Sequence, residues 1–96
     1  MISENSQRHV RIIVYGKVQG VFYRATAKNM AQEIGLSGWI KNTGEGNVEA
    51  VATGTEIQLE KFIDWCKVGP TGSKVVEVIV TDVEEEQFDK FRIRKG

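Results

Sequence analysis

The sequence predicts an α+β sandwich: one sheet with two helices on a single face and a short extra strand near the C-terminus. Three observations carry this. Apolar residues alternate between period 2 and period 3.6 along the chain, in the order β-α-β-β-α-β. Gly, Pro and an Asn-Thr-Gly run punctuate most of the switches. At 96 residues, with 41% hydrophobic and 27% charged side chains, the composition is that of one ordinary folded domain.

The elements follow in order. Residues 1–7 are polar and read as a flexible tail ahead of a single domain over 8–96. Val10 to Tyr15 is rich in β-branched residues and apolar on both faces, as suits a central strand. Gly16 punctuates it, and Gly16-Lys17-Val18-Gln19-Gly20 reads as a loop. From about Tyr23 the period changes: Ala27, Met30, Ala31 and Ile34 form one helical face, with Gly35 in the C′ position. Leu36 to Asn42 is a second strand. Thr43-Gly44-Glu45-Gly46 turns it into a third, in which Val48, Ala50 and Ala52 share a face.

Thr55 opens the second helix with a capping box completed by Gln58. Leu59, Phe62, Ile63 and Cys66 are its apolar stripe, and Gly69-Pro70 stops it. Val75 to Val83 is a fourth strand, apolar on both faces. Glu84-Glu85-Glu86 is a solvated loop, and Phe91 to Arg94 a short fifth strand. Two interleaved βα units of this kind give the ferredoxin-like sandwich, an antiparallel sheet of order 4-1-3-2 with both helices on one face. Right-handed crossovers make strands 1 and 2 parallel, so both end at one edge, about 10 Å apart across strand 3.

Composition excludes several functions. Thirteen basic against thirteen acidic side chains leave no net charge, which argues against a dedicated nucleic-acid binder. The zero is uneven, however: residues 1–32 carry five basic and one acidic side chain, a net +4, and residues 33–64 a net −4. The single cysteine, Cys66, makes no internal disulfide and suits a reducing cytoplasm. No Cys/His cluster stands ready for a metal. Nothing resembles a secretory signal, and no apolar run approaches the roughly 20 residues that span a bilayer. With no interface stripe evident, a monomer is expected.

The start of the first helix is odd. No Ser, Thr, Asp or Asn caps it; Gly20, Val21, Phe22 and Tyr23 precede Arg24. Arg24 also puts a positive charge at the positive end of the helix dipole, unfavourable by about 0.3–1 kcal/mol. An anion would remove both anomalies, with free N–H groups and the guanidinium converging on a tetrahedral phosphate. The alternative is that Arg24 reaches into solvent while Gly16 and Gly20 merely shape a turn. The spacing is neither a Walker motif nor a dinucleotide fingerprint.

The stretch Tyr15-Gly16-Lys17-Val18-Gln19-Gly20-Val21-Phe22-Tyr23-Arg24 closely resembles the first signature of the acylphosphatase family. Gly38-Trp39-Ile40-Lys41-Asn42, continuing through Gly46-Asn47-Val48-Glu49-Ala50, resembles the second. The likeness extends through Gly54, Trp65 to Pro70 and Phe91 to Arg94, and so covers the chain from about Val10 to Arg94. Phe22-Tyr23 stands where Gly-Phe is frequent in microbial members. The resemblance implies metal-independent, cofactor-free hydrolysis of acyl phosphates to a carboxylate and inorganic phosphate. It also implies that Arg24 binds the phosphate and that Asn42 positions the attacking water. Backbone N–H groups of Lys17, Val18, Gln19, Gly20, Val21 and Phe22 complete the cradle.

Other readings stand beside this one. Asn42 alone reads as a turn residue before Thr43-Gly44. Lys17 either attracts the substrate or is a solvated loop lysine. His9, the only histidine, has no evident orienting partner and reads as a partly exposed residue at strand entry. Cys66, on the apolar stripe, reads as buried packing. An RNA-recognition domain shares the element order but needs aromatics on its central strands, and residues 47–53 have none. A regulatory domain on the same scaffold is the third class.

Overall fold

The computed structural model describes residues 7–95, so the expectation of an N-terminal tail falls, apart from exposed Gln7, outside the described residues. The elements are β1 (Arg8–Lys17), α1 (Tyr23–Ile34), β2 (Ser37–Asn42), β3 (Val48–Gly54), α2 (Glu56–Val68), β4 (Lys74–Asp82) and β5 (Phe91–Ile93). They form one sheet of order β4-β1-β3-β2-β5. β1 is antiparallel to β3 and β4, and β2 is antiparallel to β3, so β1 and β2 run parallel and finish at the same edge.

Two expectations are corrected. The sheet is mixed rather than purely antiparallel, because β5 lies parallel to β2, with Gly38 opposite Phe91 and Ile40 opposite Ile93. The cause is topological: β4 runs against β1 and ends where β2 begins. A strand reached by crossing there must return alongside β2 in the same direction. Its last residue, Ile93, therefore arrives at the edge where β1 and β2 end. Second, β1 continues through Gly16 and Lys17, which the sequence places in a loop. A register shift between Tyr15 and Gly16 lets Gly16 pair with Val75 and Lys17 with Lys74. β4 lies at the sheet edge, as the expected order has it, and is mostly exposed, because it has a neighbour on one side only.

The core is a single cluster. Val10, Ile12 and Val14 of β1 alternate toward the helices and meet Ala27 and Ala31 of α1 and Leu59, Phe62 and Cys66 of α2. The capping box of α2 forms: Gln58 N–H donates to Thr55 Oγ1 (3.2 Å), and Thr55 N–H donates to Gln58 Oε1 (2.9 Å). Gln58 Nε2 also donates to the Ile34 carbonyl (3.1 Å), tying the start of α2 to the end of α1.

Gly38 shows how tightly β2 and β3 are packed together. Its φ is +138°, and a Cβ there would overlap the Val51 carbonyl oxygen of β3. Gly38→Ala is expected to lose on the order of 3 kcal/mol of stability, combining backbone strain with overpacking. A urea unfolding curve with a sharply lowered midpoint and unchanged slope checks this.

Cys66 is fully buried, and burial pushes its thiol up from 9.0 to about 12. Above pH 9 the unfolded chain gives up this proton while the folded chain keeps it. Stability is therefore complete below pH 9 and falls as pH rises toward 12. The buried Tyr23 phenol, raised by the same desolvation and donating to the Cys66 carbonyl at 2.7 Å, acts in the same direction. The urea midpoint is expected to fall between pH 9 and 11, and to fall less steeply in Cys66→Ala.

Candidate active site

The site grows out of the connection between β1 and α1. After the shift at Gly16, Val18 turns into the core and is 1% exposed, pinning the loop from below. Gln19 holds it from the side: its Nε2 donates to the carbonyls of Thr43 (3.0 Å) and Asn47 (2.7 Å). These bonds fasten the loop to the β2–β3 turn, directly beside Asn42. Thr43 Oγ1 accepts from Asn47 N–H (3.1 Å) and Glu45 N–H (3.3 Å), which fixes that turn in place.

Gly20 (φ +74°) and Phe22 (φ +62°) then bend the chain through left-handed conformations into α1. Phe22 occupies the N-cap position, makes no side-chain cap, and no acidic residue follows in the first turn. Among the described residues, the backbone N–H groups from Val18 to Ala25 reach no hydrogen-bond acceptor. The chain has thus left a row of donors unspent where a helix dipole adds its positive end.

Arg24 is the second residue of α1, and its guanidinium forms no ion pair among the described residues. Asn42 is the last residue of β2, and its side-chain Oδ1 is buried without a hydrogen-bond partner among the described residues. A buried acceptor in that state is uncommon and costs about 1–3 kcal/mol unless something donates to it. One cavity of about 320 Å³ is lined by both residues, together with Val18, Gly20, Phe22, Tyr23, Ala25 and Ile93. Arg24 is the only charged side chain among these. The cavity therefore joins one cation, a row of backbone donors and one neutral acceptor, which suits an anion approached by a hydrogen-donating nucleophile.

The sequence-proposed residues divide accordingly. Arg24, Asn42, Val18, Gly20 and Phe22 line the cavity. Lys17, Gln19 and Val21 do not: Lys17 ends β1 with an exposed side chain, Gln19 is the clamp, and Val21 packs against the core. His9 lies away from it, its Nδ1 2.8 Å from Thr53 Oγ1. Phe22 and Tyr23 have opposite environments, Phe22 being 82% exposed and Tyr23 1%. Sequence reasoning missed Ile93, because nothing local in Phe91-Arg92-Ile93 specifies which strand it joins. Among the described residues no three His, Cys, Asp or Glu side chains gather to hold a metal ion. No helix of the described residues is long and apolar enough to cross a membrane.

The acylphosphatase family model matches residues 10–93. The chain belongs to the acylphosphatase family. An acylphosphatase of Haloquadratum walsbyi is 42% identical over 94 residues, spanning 98% of this chain and 100% of the relative. Among solved structures, an acylphosphatase from Coxiella burnetii superposes with a TM-score of 0.90 at 33% identity, covering 97% of this chain and 100% of that one. An acylphosphatase from Bacillus subtilis superposes with a TM-score of 0.88 at 38% identity, covering 93% and 99%. The ferredoxin-like α+β architecture with its C-terminal fifth strand is shared with these acylphosphatases.

Proposed function

We propose that this protein hydrolyses the carboxyl-phosphate bond of acyl phosphates, releasing a carboxylate and inorganic phosphate, with water attacking phosphorus in line. Family membership supports the activity. The observation that carries the mechanism is the pairing, in one cavity, of an uncompensated Arg24 with the orphaned Oδ1 of Asn42. Arg24 and the free N–H groups of the loop from Val18 to Phe22 hold the phosphoryl oxygens. Asn42 Oδ1 accepts a hydrogen bond from water and turns its lone pair toward phosphorus.

The chemistry asks little more. A bond forms between the water oxygen and phosphorus while the bond from phosphorus to the acyl oxygen breaks. The water proton passes to a phosphate oxygen. The leaving carboxylate has a conjugate-acid pKa of about 4–5, so it departs without a general acid. The loose transition state spreads charge over three equatorial oxygens, where a guanidinium and fixed N–H dipoles stabilise it without reorganisation. Small acyl phosphates, carbamoyl phosphate and phosphoaspartyl groups share this chemistry. We take the enzyme to be a cytoplasmic monomer that acts without cofactor or metal; the unpaired, buried Cys66 suits a reducing cytoplasm.

The test is turnover of acetyl phosphate and benzoyl phosphate with a chelator present. Undiminished hydrolysis, inhibited competitively by inorganic phosphate, is expected. Loss of activity on chelation contradicts the metal-free mechanism, and inactivity toward both substrates contradicts the function.

A further inference from the structure

Lys17 and Lys74 stand opposite each other where β1 ends and β4 begins. Like charges placed directly across a strand pair destabilise it. Elsewhere this sheet sets opposite charges face to face: Lys41 of β2 lies across from Glu49 of β3, and Arg11 Nε meets Glu49 Oε2 at 2.9 Å. Lys17 and Lys74 are both exposed, and neither forms an ion pair among the described residues. Glu77, the nearest carboxylate along β4, lies across from Tyr15 rather than from either lysine. The doublet is a second place, after Arg24, where positive charge is set against stability.

Its position gives a reason. β1 ends at the sheet edge that carries the cavity, and β4, antiparallel to β1, begins there. The other end of β4 is acidic: Asp82 closes the strand, and Glu84, Glu85 and Glu86 follow. The ten residues of β1 separate the two edges by about 30 Å. Salt screens charges over about 8–10 Å at physiological ionic strength. An anion nearing the cavity edge therefore feels the two lysines and not the distant carboxylates. The zero net charge of the chain conceals an attractive field at the edge that binds phosphate.

We propose that Lys17 and Lys74 form a capture pair that draws the phosphoryl group of the substrate to the cavity mouth, raising kcat/KM without taking part in the chemistry. This rests on the proposed hydrolysis at Arg24 and Asn42. Neither lysine lines the cavity, so the pair acts through its field before binding, and Arg24 takes over on contact. A phosphate group with about 1.5–2 negative charges at neutral pH is drawn up to twice as strongly as a carboxylate.

The experiment measures kcat/KM for acetyl phosphate from about 10 mM to about 500 mM ionic strength in the parent, Lys74→Gln, Lys74→Arg, Lys17→Gln and Lys90→Gln. Lys90 is the control from the opposite edge, where its carbonyl accepts from Gly38 N–H (3.2 Å) at the start of β2. At the lowest ionic strength Lys74→Gln and Lys17→Gln are each expected to lower kcat/KM about threefold. The gap is expected to close to within about 1.5-fold at the highest. Lys74→Arg and Lys90→Gln are expected to follow the parent throughout. A misfolded fraction lowers every point by one factor and cannot imitate a closing gap. No gap, or a gap that ionic strength does not change, overturns the capture pair, as does a Lys90→Gln variant that falls equally far. Each of these results leaves the hydrolysis standing, whereas a parent inactive toward acetyl phosphate overturns the hydrolysis itself.

Discussion

Arg24→Ala is expected to lower kcat/KM for acetyl phosphate by on the order of 10³-fold or more, in a protein whose circular dichroism and thermal melt stay close to the parent's. The size follows from isolation. Arg24 is the only charged side chain on the cavity wall and has no ion pair among the described residues, so no neighbour takes over its role. The fold follows from the same fact, since removing a cation at the positive end of α1 relieves an unfavourable interaction rather than breaking a contact. Arg24→Lys is expected to recover only part of the loss, because a point charge replaces two parallel N–H donors. Inhibition by inorganic phosphate weakens in step, which separates an anchoring role from a general disturbance.

The second large effect concerns Asn42. Asn42→Ala is expected to lower kcat by about 10²–10³-fold, the cost of losing the group that orients the nucleophile. The inhibition constant of inorganic phosphate should move much less. That split is what the proposed roles require, with water at Asn42 and phosphate at Arg24. Asn42→Asp is the sharper variant. It keeps the size and the acceptor but sets a negative charge beside the phosphate, so KM rises and kcat stays low.

Much of this was legible in the sequence because local rules and global fold agree. The stripe from Ala27 to Ile34, the Thr55–Gln58 capping box and the Leu59, Phe62 and Cys66 face each specify their element without help from distant residues. Arg24 stood out because it breaks a local rule, and rule-breaking residues concentrate at functional sites. What was not legible depends on distant partners. Gly16 and Lys17 read as loop because the shift that extends β1 is set by Val75 and Lys74 across the sheet. β4 read as apolar on both faces, and its Val and Ile residues carry no mark of how much of them is left in solvent. Ile93 reached the cavity through the crossing from β4 to β5, and a three-residue strand contains no signal for its partner. The resemblance concerned the backbone N–H of Gln19; the clamp its side chain makes on the carbonyls of Thr43 and Asn47 depends on a turn distant in the chain.

The charge arithmetic takes on a different meaning in this light. Most of the excess in the first third does not face the cavity: Lys17 is exposed at the end of β1, and Arg8 pairs with Glu56 and Asp82. A single guanidinium remains among the lining residues, backed by peptide dipoles that no residue count records. The charge that the proposed mechanism uses is therefore local and fixed rather than a property of the surface.

The central claim is that water held by Asn42 attacks phosphorus, and hydrolysis in 18O-labelled water tests it most directly. A single-turnover reaction of acetyl phosphate, with enzyme in excess, should place the label in inorganic phosphate and leave acetate unlabelled, by mass spectrometry of both products. Label in the acetate would mean that water attacks the carbonyl carbon. The arrangement of Arg24, Asn42 and the loop N–H groups would then have been assigned to the wrong atom.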